Sequence, residues 1–135
     1  MASTKGAYLK HIRYDSTTPY RIERYLEREN WSKEDWKKWI DSHLEETLYN
    51  AKKYVPFYQK YWSECEKSYE DLKNWPIITK QKINEFPDLF IDARFKKSKL
   101  YHDHTSGTTG TPLDIYLDYD SVKEQYALFE ARVKR

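Results

Sequence analysis

The chain has 135 residues with 24 basic and 22 acidic side chains, a formal charge of +2; this length suits one small domain, and so even a balance does not require nucleic acid as a partner. A single cysteine, Cys65, excludes an intrachain disulfide. No apolar run approaches the ~20 residues of a membrane span, and the N-terminus lacks an apolar signal core, so the expected location is the cytoplasm.

Aromatic residues make up 17% of the chain, 13 of them tyrosines, so burial must rest more on rings than on aliphatic side chains. Residues 1–19 are polar and broken by Pro19, which predicts an irregular arm with a short strand near Tyr8–Tyr14. Tyr20 to Glu29 suits a short charged helix. Ser32 then reads as an N-cap, with Glu34 and Asp35 in the first turn facing the positive end of the helix dipole. Trp36, Ile40, Leu44, Leu48 and Ala51 recur at helical spacing and predict a helix over Lys33 to Tyr54 with a core-packing stripe. Base stacking on nucleic acid is the competing reading of these rings, and their spacing favours packing.

Pro56 either ends that helix or opens the next at its first turn. Phe57, Tyr58, Tyr61 and Trp62 form a second aromatic face, to about Cys65. Cys65 reads as a packed side chain and not as a nucleophile. Residues 66–73 form a polar connection, and Trp75 is extended because it precedes Pro76. Thr79 caps a short helix to Phe86, and Pro87 stops it. Asp88 to Phe95 wraps back, anchored by Leu89, Phe90 and Ile91. Arg94, Lys96, Lys97 and Lys99 form a basic cluster, either a solvated face or an attractor for a polyanion.

Two stretches of period-two alternation follow, Lys99–His104 and Leu113–Tyr119, and predict two antiparallel strands. His102 and His104 share a strand face, but two ligands fall short of the three or four that zinc takes, so they read as strand histidines and no metal site is assigned. After the second strand, Ser121 and Glu124 fit a capping box. Val122, Tyr126, Phe129 and Val133 then form a helical stripe with little left to pack against. The fold class is therefore α+β, with a mostly helical segment over 1–98 and a strand–loop–strand–helix over 99–135, both parts of one truncated domain.

Between the strands lies His104 to Leu113, which holds two of the chain's 3 glycines. Glycine lets backbone approach a ligand closely. Successive free N–H groups in such a loop make an anion-binding concavity, and hydroxyls add donors for phosphate oxygens. The loop within it, Thr105 to Pro112, is longer than a usual hairpin loop and carries no aliphatic side chain, which suits a ligand cradle. The candidate site is Thr105, Ser106, Gly107, Thr108, Thr109 and Gly110, binding a polyphosphate. It is not a Walker A loop, because no Gly-Lys-Ser/Thr ends it and a strand-like run follows it. A flexible Ser/Thr/Gly linker is the alternative.

Thr105 to Pro112, read as Thr-Ser-Gly-Thr-Thr-Gly-Thr-Pro, resembles the phosphate-binding loop of the adenylate-forming enzymes, a superfamily that includes acyl-CoA synthetases and peptide adenylation domains. Many members follow the Pro with Lys, where this chain has Leu113. Tyr54-Val55-Pro56-Phe57-Tyr58 and the Leu72–Lys80 segment resemble the phenylacetate–CoA ligase branch and its capsular polysaccharide biosynthesis relatives. The similarity runs over about residues 44–135. It implies ATP and Mg²⁺ as cofactors, a small-molecule carboxylate as substrate, an acyl-adenylate as product, and a thiol such as coenzyme A as acceptor. It also implies that the family's ribose-binding Asp and the Lys of its mobile C-terminal domain lie beyond this loop, outside these 135 residues. The chain is thus expected to be the N-terminal portion of such an enzyme, partnered by the rest of its adenylation domain, without catalytic residues of its own and inactive alone. Without the resemblance, the same aromatic helices and basic cluster fit a small non-catalytic module that binds a protein or nucleic acid.

Overall fold

The computed structural model describes residues 4–105 and 112–134. In chain order they form α1 (Thr4–Arg13), α2 (Thr18–Glu27), α3 (Lys33–Tyr54), α4 (Pro56–Ser63), α5 (Lys80–Glu85), β1 (Tyr101–His104), β2 (Asp114–Leu117) and α6 (Tyr119–Val133). Short 3-10 turns lie at Arg28–Asn30, Leu72–Asn74, Pro87–Phe90 and Lys97–Lys99. Helix and strand are mixed, in keeping with the α+β class. The chain divides into two units: Met1–Glu34 with Leu117–Arg135, and Asp35–Tyr116. The boundary read at 98/99 falls inside the second.

In the first unit, α1 and α2 both pack on α6. An irregular arm was expected over 1–19; its described residues, 4–19, are instead largely helical. The helix buries Ile12, leaves Tyr8 exposed, and places Lys10, His11 and Arg13 in its last turn, at the negative end of the dipole. Pro19 opens α2 rather than breaking an arm, since the first helical turn has no use for its missing N–H. Asp15 shapes the turn between the two helices: its carboxylate accepts from the Thr17 N–H (2.8 Å), and its own N–H donates to Thr18 Oγ1 (2.9 Å).

The apolar seam of this unit joins Ile22 to Ala127 and Ala131, with Tyr25 and Leu26 packed against it. The expected stripe on α6 is corrected here: Val122 is buried, but Phe129 and Val133 are 51% and 82% exposed. The helix turns its alanines inward because a methyl side chain lets α2 approach closely, and it has partners where none were expected. The cap is corrected too. Asp118, not Ser121, begins α6; its carboxylate accepts from the N–H groups of Asp120 and Ser121 (2.9 Å each) and from the Ser121 hydroxyl (2.6 Å). Burial opposes the Asp118 charge, but the Ser121 and Asp120 donors outweigh it and hold the carboxyl below its ordinary range.

Polar contacts rim the seam. The Arg21 guanidinium bonds both Asp120 and Glu124. Burial works against its charge, and those two carboxylates more than offset it. Lys123 pairs with Asp15 at 2.7 Å, and that bond, with help from Thr17, holds the Asp15 carboxyl well below the usual range. The Tyr14 hydroxyl donates to Glu130 (2.8 Å) and that of Tyr25 to Glu124 (2.9 Å).

In the second unit, α3 forms as its periodicity predicts, but only part of its stripe is core. Leu48 is buried, while Trp36, Ile40 and Leu44 are 37%, 50% and 38% exposed. Packing gathers at the C-terminal end of the helix, where the Ala93 N–H donates to the Tyr54 carbonyl (2.7 Å) and Lys52 lies 4.0 Å from the Tyr69 ring centroid. Pro56 starts α4. Trp62 is the buried residue of that helix, edge-on to Trp75 (5.3 Å), which also meets Tyr58 (4.8 Å). The Trp75 Nε1–H donates to the Tyr69 carbonyl (2.7 Å). Phe57 stacks on Phe90 at 4.5 Å, which anchors the returning segment as expected. Thr79 caps α5 by accepting from the Lys82 N–H (3.3 Å). Among the described residues no helix is long and apolar enough to cross a membrane.

Candidate functional site

β1 and β2 pair as a two-stranded sheet, each shorter than the alternation suggests. The second strand stops at Leu117 because Asp118 already caps α6. The first begins only after the turn at Lys97–Lys99. At the foot of the intervening segment, the Thr105 N–H donates to the Leu113 carbonyl (3.0 Å). The Leu113 N–H returns not to the Thr105 carbonyl but to its hydroxyl Oγ1, also at 3.0 Å. A hydroxyl has two lone pairs and one hydrogen, so Thr105 Oγ1 keeps its own hydrogen for an outside acceptor. The Leu113 N–H, by contrast, is already used.

Of the six candidate residues, only Thr105 falls within the described part of the chain. Ser106, Gly107, Thr108, Thr109 and Gly110 lie outside the described residues. On the far side of that segment the Asn84 side-chain amide donates to the Pro112 carbonyl (3.1 Å), tying it to α5. Nothing in the spacing of Asn84 announces this contact; it depends on where α5 folds back.

The hairpin register follows from the Thr105–Leu113 pair. In an antiparallel ladder it sets His104 opposite Asp114 and His102 opposite Tyr116, both in non-hydrogen-bonded positions where side chains stand closest. The rings agree: His102 and Tyr116 stack at 4.8 Å and 14°. His102 Nε2 also lies 2.8 Å from Asp114 Oδ1 across the strands. This cross-strand pair escaped the sequence reading, which weighed the histidines without the partner strand's register.

The basic cluster is partly neutralised. Arg94 is paired with Asp92 (2.6 Å) and lies over the Tyr54 ring (4.0 Å), and the Asp92 bond raises its pKa against a smaller effect of burial. Lys97 is bonded to Asp88, which raises its pKa likewise, and sits 4.7 Å from the Tyr116 ring centroid. Lys96 and Lys99 are exposed and carry no ion pair among the described residues. Of the cluster, those two are the cations left to attract an anion. Among the described residues no three His, Cys, Asp or Glu side chains are gathered as around a metal ion. No protein-family model matches the chain, and neither a curated protein nor a solved structure matches it.

Proposed function

We propose that this chain supplies the ATP phosphate-binding loop of an AMP-forming, carboxylate-activating ligase resembling phenylacetate–CoA ligase. The observation that carries the reading is the Gly/Ser/Thr sequence of 105–112 set between two paired strands. Closure of the hairpin at Thr105 and Leu113, with Asn84 holding Pro112, supports it by fixing both feet of the segment. In this reading Thr105, Ser106, Gly107, Thr108, Thr109 and Gly110 present N–H and O–H donors to the β- and γ-phosphates. Mg²⁺ offsets the charge, and the substrate carboxylate attacks the α-phosphate with pyrophosphate as leaving group. Lys96 and Lys99 add a positive field near the same hairpin. The acceptor of the acyl group, coenzyme A or another, belongs to the parent reaction. The ribose-binding and acyl-binding parts of that reaction are not carried by the motifs in these 135 residues.

Calorimetric titration of the chain tests the loop directly. MgATP and Mg-pyrophosphate should bind competitively, and AMP should not displace either. Gly107→Ala and Thr108→Ala should weaken pyrophosphate binding while leaving the helical signal unchanged. Competition by AMP as effective as that by pyrophosphate would sink the assignment. The second reading, a non-catalytic module for a protein or nucleic acid, is favoured by one observation: Ile40 and Leu44 stand exposed on one face of α3. It moves ahead if no phosphate compound binds.

A further inference from the structure

We propose that the exposed part of α3 is a self-association surface, on which two copies of the chain pair antiparallel about a two-fold axis near Ile40. The pairing is independent of the phosphate reading of the loop.

The surface is the first four turns of α3. From Lys33 to Thr47 every residue is exposed except Trp39, which is half-buried. Trp36, Ile40 and Leu44 recur four apart and so share one apolar stripe. Trp39 and His43 border it, their ring centroids 4.0 Å apart. From the buried Leu48 onward the helix packs into its own unit. The available face is therefore bounded at Lys33 and Thr47, and its midpoint is Ile40.

Charge selects the occupant. Residues 33–47 hold 3 lysines against 5 carboxylates, a balance of −2 that repels nucleic acid and anionic lipid alike. Along the edge next to Leu44, however, the signs are segregated. Lys33 and Lys37 lie toward the N-terminal end of that edge. Toward its other end Asp41, Leu44, Glu45 and Leu48, with Tyr69 and Glu70, line a hollow of about 140 Å³. Its apolar floor and carboxylate rim suit a lysine, whose stem covers apolar surface while the ammonium stays at the rim. In a two-fold pair residue i meets residue j and j meets i, so each edge faces the same edge of the second copy. An axis at Ile40 sets Lys37 level with His43 of the second copy and Lys33 level with its Thr47. Both lysines thus arrive at that copy's hollow, and the contact is made twice. Lys37 is bonded to its own Asp41 at 2.5 Å, and it exchanges this partner for the equivalent Asp41.

The other edge limits the strength of the pair, because it brings Asp35 and Glu46 level as like charges. The span is also short, about 22 Å at the helical rise. The buried area then falls near or below the ~1,200 Å² at which standard specific interfaces begin. A dissociation constant between about 1 µM and 1 mM is expected.

Sedimentation equilibrium of the chain from ~10 µM to ~1 mM should show a monomer–dimer equilibrium in that range. Ile40→Ser and Lys37→Glu should each weaken it ~10-fold or more, and Glu46→Gln should tighten it. Ile40 is half-exposed, and far-UV circular dichroism confirms that each variant folds. Ile77→Ser is the control, since that side chain is 96% exposed and lies outside α3. In a Cys65→Ser background, Lys33→Cys chains should cross-link to Thr47→Cys chains and not to one another. A monomer up to ~1 mM overturns the proposal and leaves the stripe to a different protein. Dimerisation unchanged in Ile40→Ser, or weakened equally in Ile77→Ser, overturns it too. So does cross-linking of Lys33→Cys chains among themselves, which is the signature of a parallel pair.

Discussion

At the scale of single residues, Tyr25 ties fold to solvent conditions. Burial is the main cause that pushes its hydroxyl up to about 12, with the bond to Glu124 second. An unfolded tyrosine titrates near 10, so between roughly pH 10 and 12 the folded chain holds a proton that the unfolded chain has released. Stability contributed by Tyr25 is complete below the unfolded value and is lost as pH rises through that window. Tyr14, raised chiefly by its bond to Glu130, adds in the same direction. Asp15 and Asp118 act with the opposite sign: their depressed values stabilise above the ordinary carboxylate range and cease to do so as acid protonates them. Denaturant midpoints followed from about pH 9 to 12 should fall for the wild type, and Tyr25→Phe should flatten that fall. An equally steep fall in the variant would assign the effect elsewhere. The tyrosine pairings were not legible in the sequence, because Tyr25 meets Glu124 and Tyr14 meets Glu130 only through the packing of α1 and α2 on α6.

At the scale of elements, local rules did well where one residue decides the matter. Thr79 capping α5 and the alternation that became β1 and β2 were readable from neighbouring residues, and the helix boundary at Pro56 was too, though not which side of it the proline serves. The rules misjudged cases in which two local signals competed. Asp118 and Ser121 are both good caps, and the earlier one wins because its carboxylate can take two backbone N–H groups and the Ser121 hydroxyl at once. Asp118→Ala should therefore destabilise the chain by about 1 kcal/mol, the usual cost of losing a helix cap. Ser121→Ala should cost clearly less, since Ser121 is a donor to the cap and not the cap itself. Chemical denaturation of the two variants side by side checks this, and the reverse order would restore the Ser121 cap. For the candidate site, the residue types in 105–112 were legible. The feet of the hairpin were not, because the bond from Leu113 to the Thr105 hydroxyl and the hold of Asn84 on Pro112 depend on three-dimensional placement.

At the scale of the whole chain, the division into units was the least legible feature. Amphipathic periodicity tells that a helix needs a partner but does not name it. The α6 stripe looked unpartnered because its partners, α1 and α2, lie at the other end of the sequence. A chain lacking residues 1–30 should expose Val122, Ala127 and Ala131. Its helical circular dichroism should drop by more than α1 and α2 themselves contribute, since α6 then frays. Loss of only their share of the signal would mean that α6 stands without them.

Because the first unit is assembled from residues 1–34 and 117–135, its folding is tied to the order of synthesis. On the ribosome α1 and α2 emerge early, yet the alanine face that buries Ile22 is made only after the whole of 35–116. Until then the two helices are short, amphipathic and without α6, the state in which nascent chains engage chaperones or aggregate. Residues 35–116 carry no such delay, since their contacts lie within one continuous stretch. A ribosome stalled just before Tyr119 should therefore display α1 and α2 as protease-sensitive segments, and release of the remaining residues should protect them.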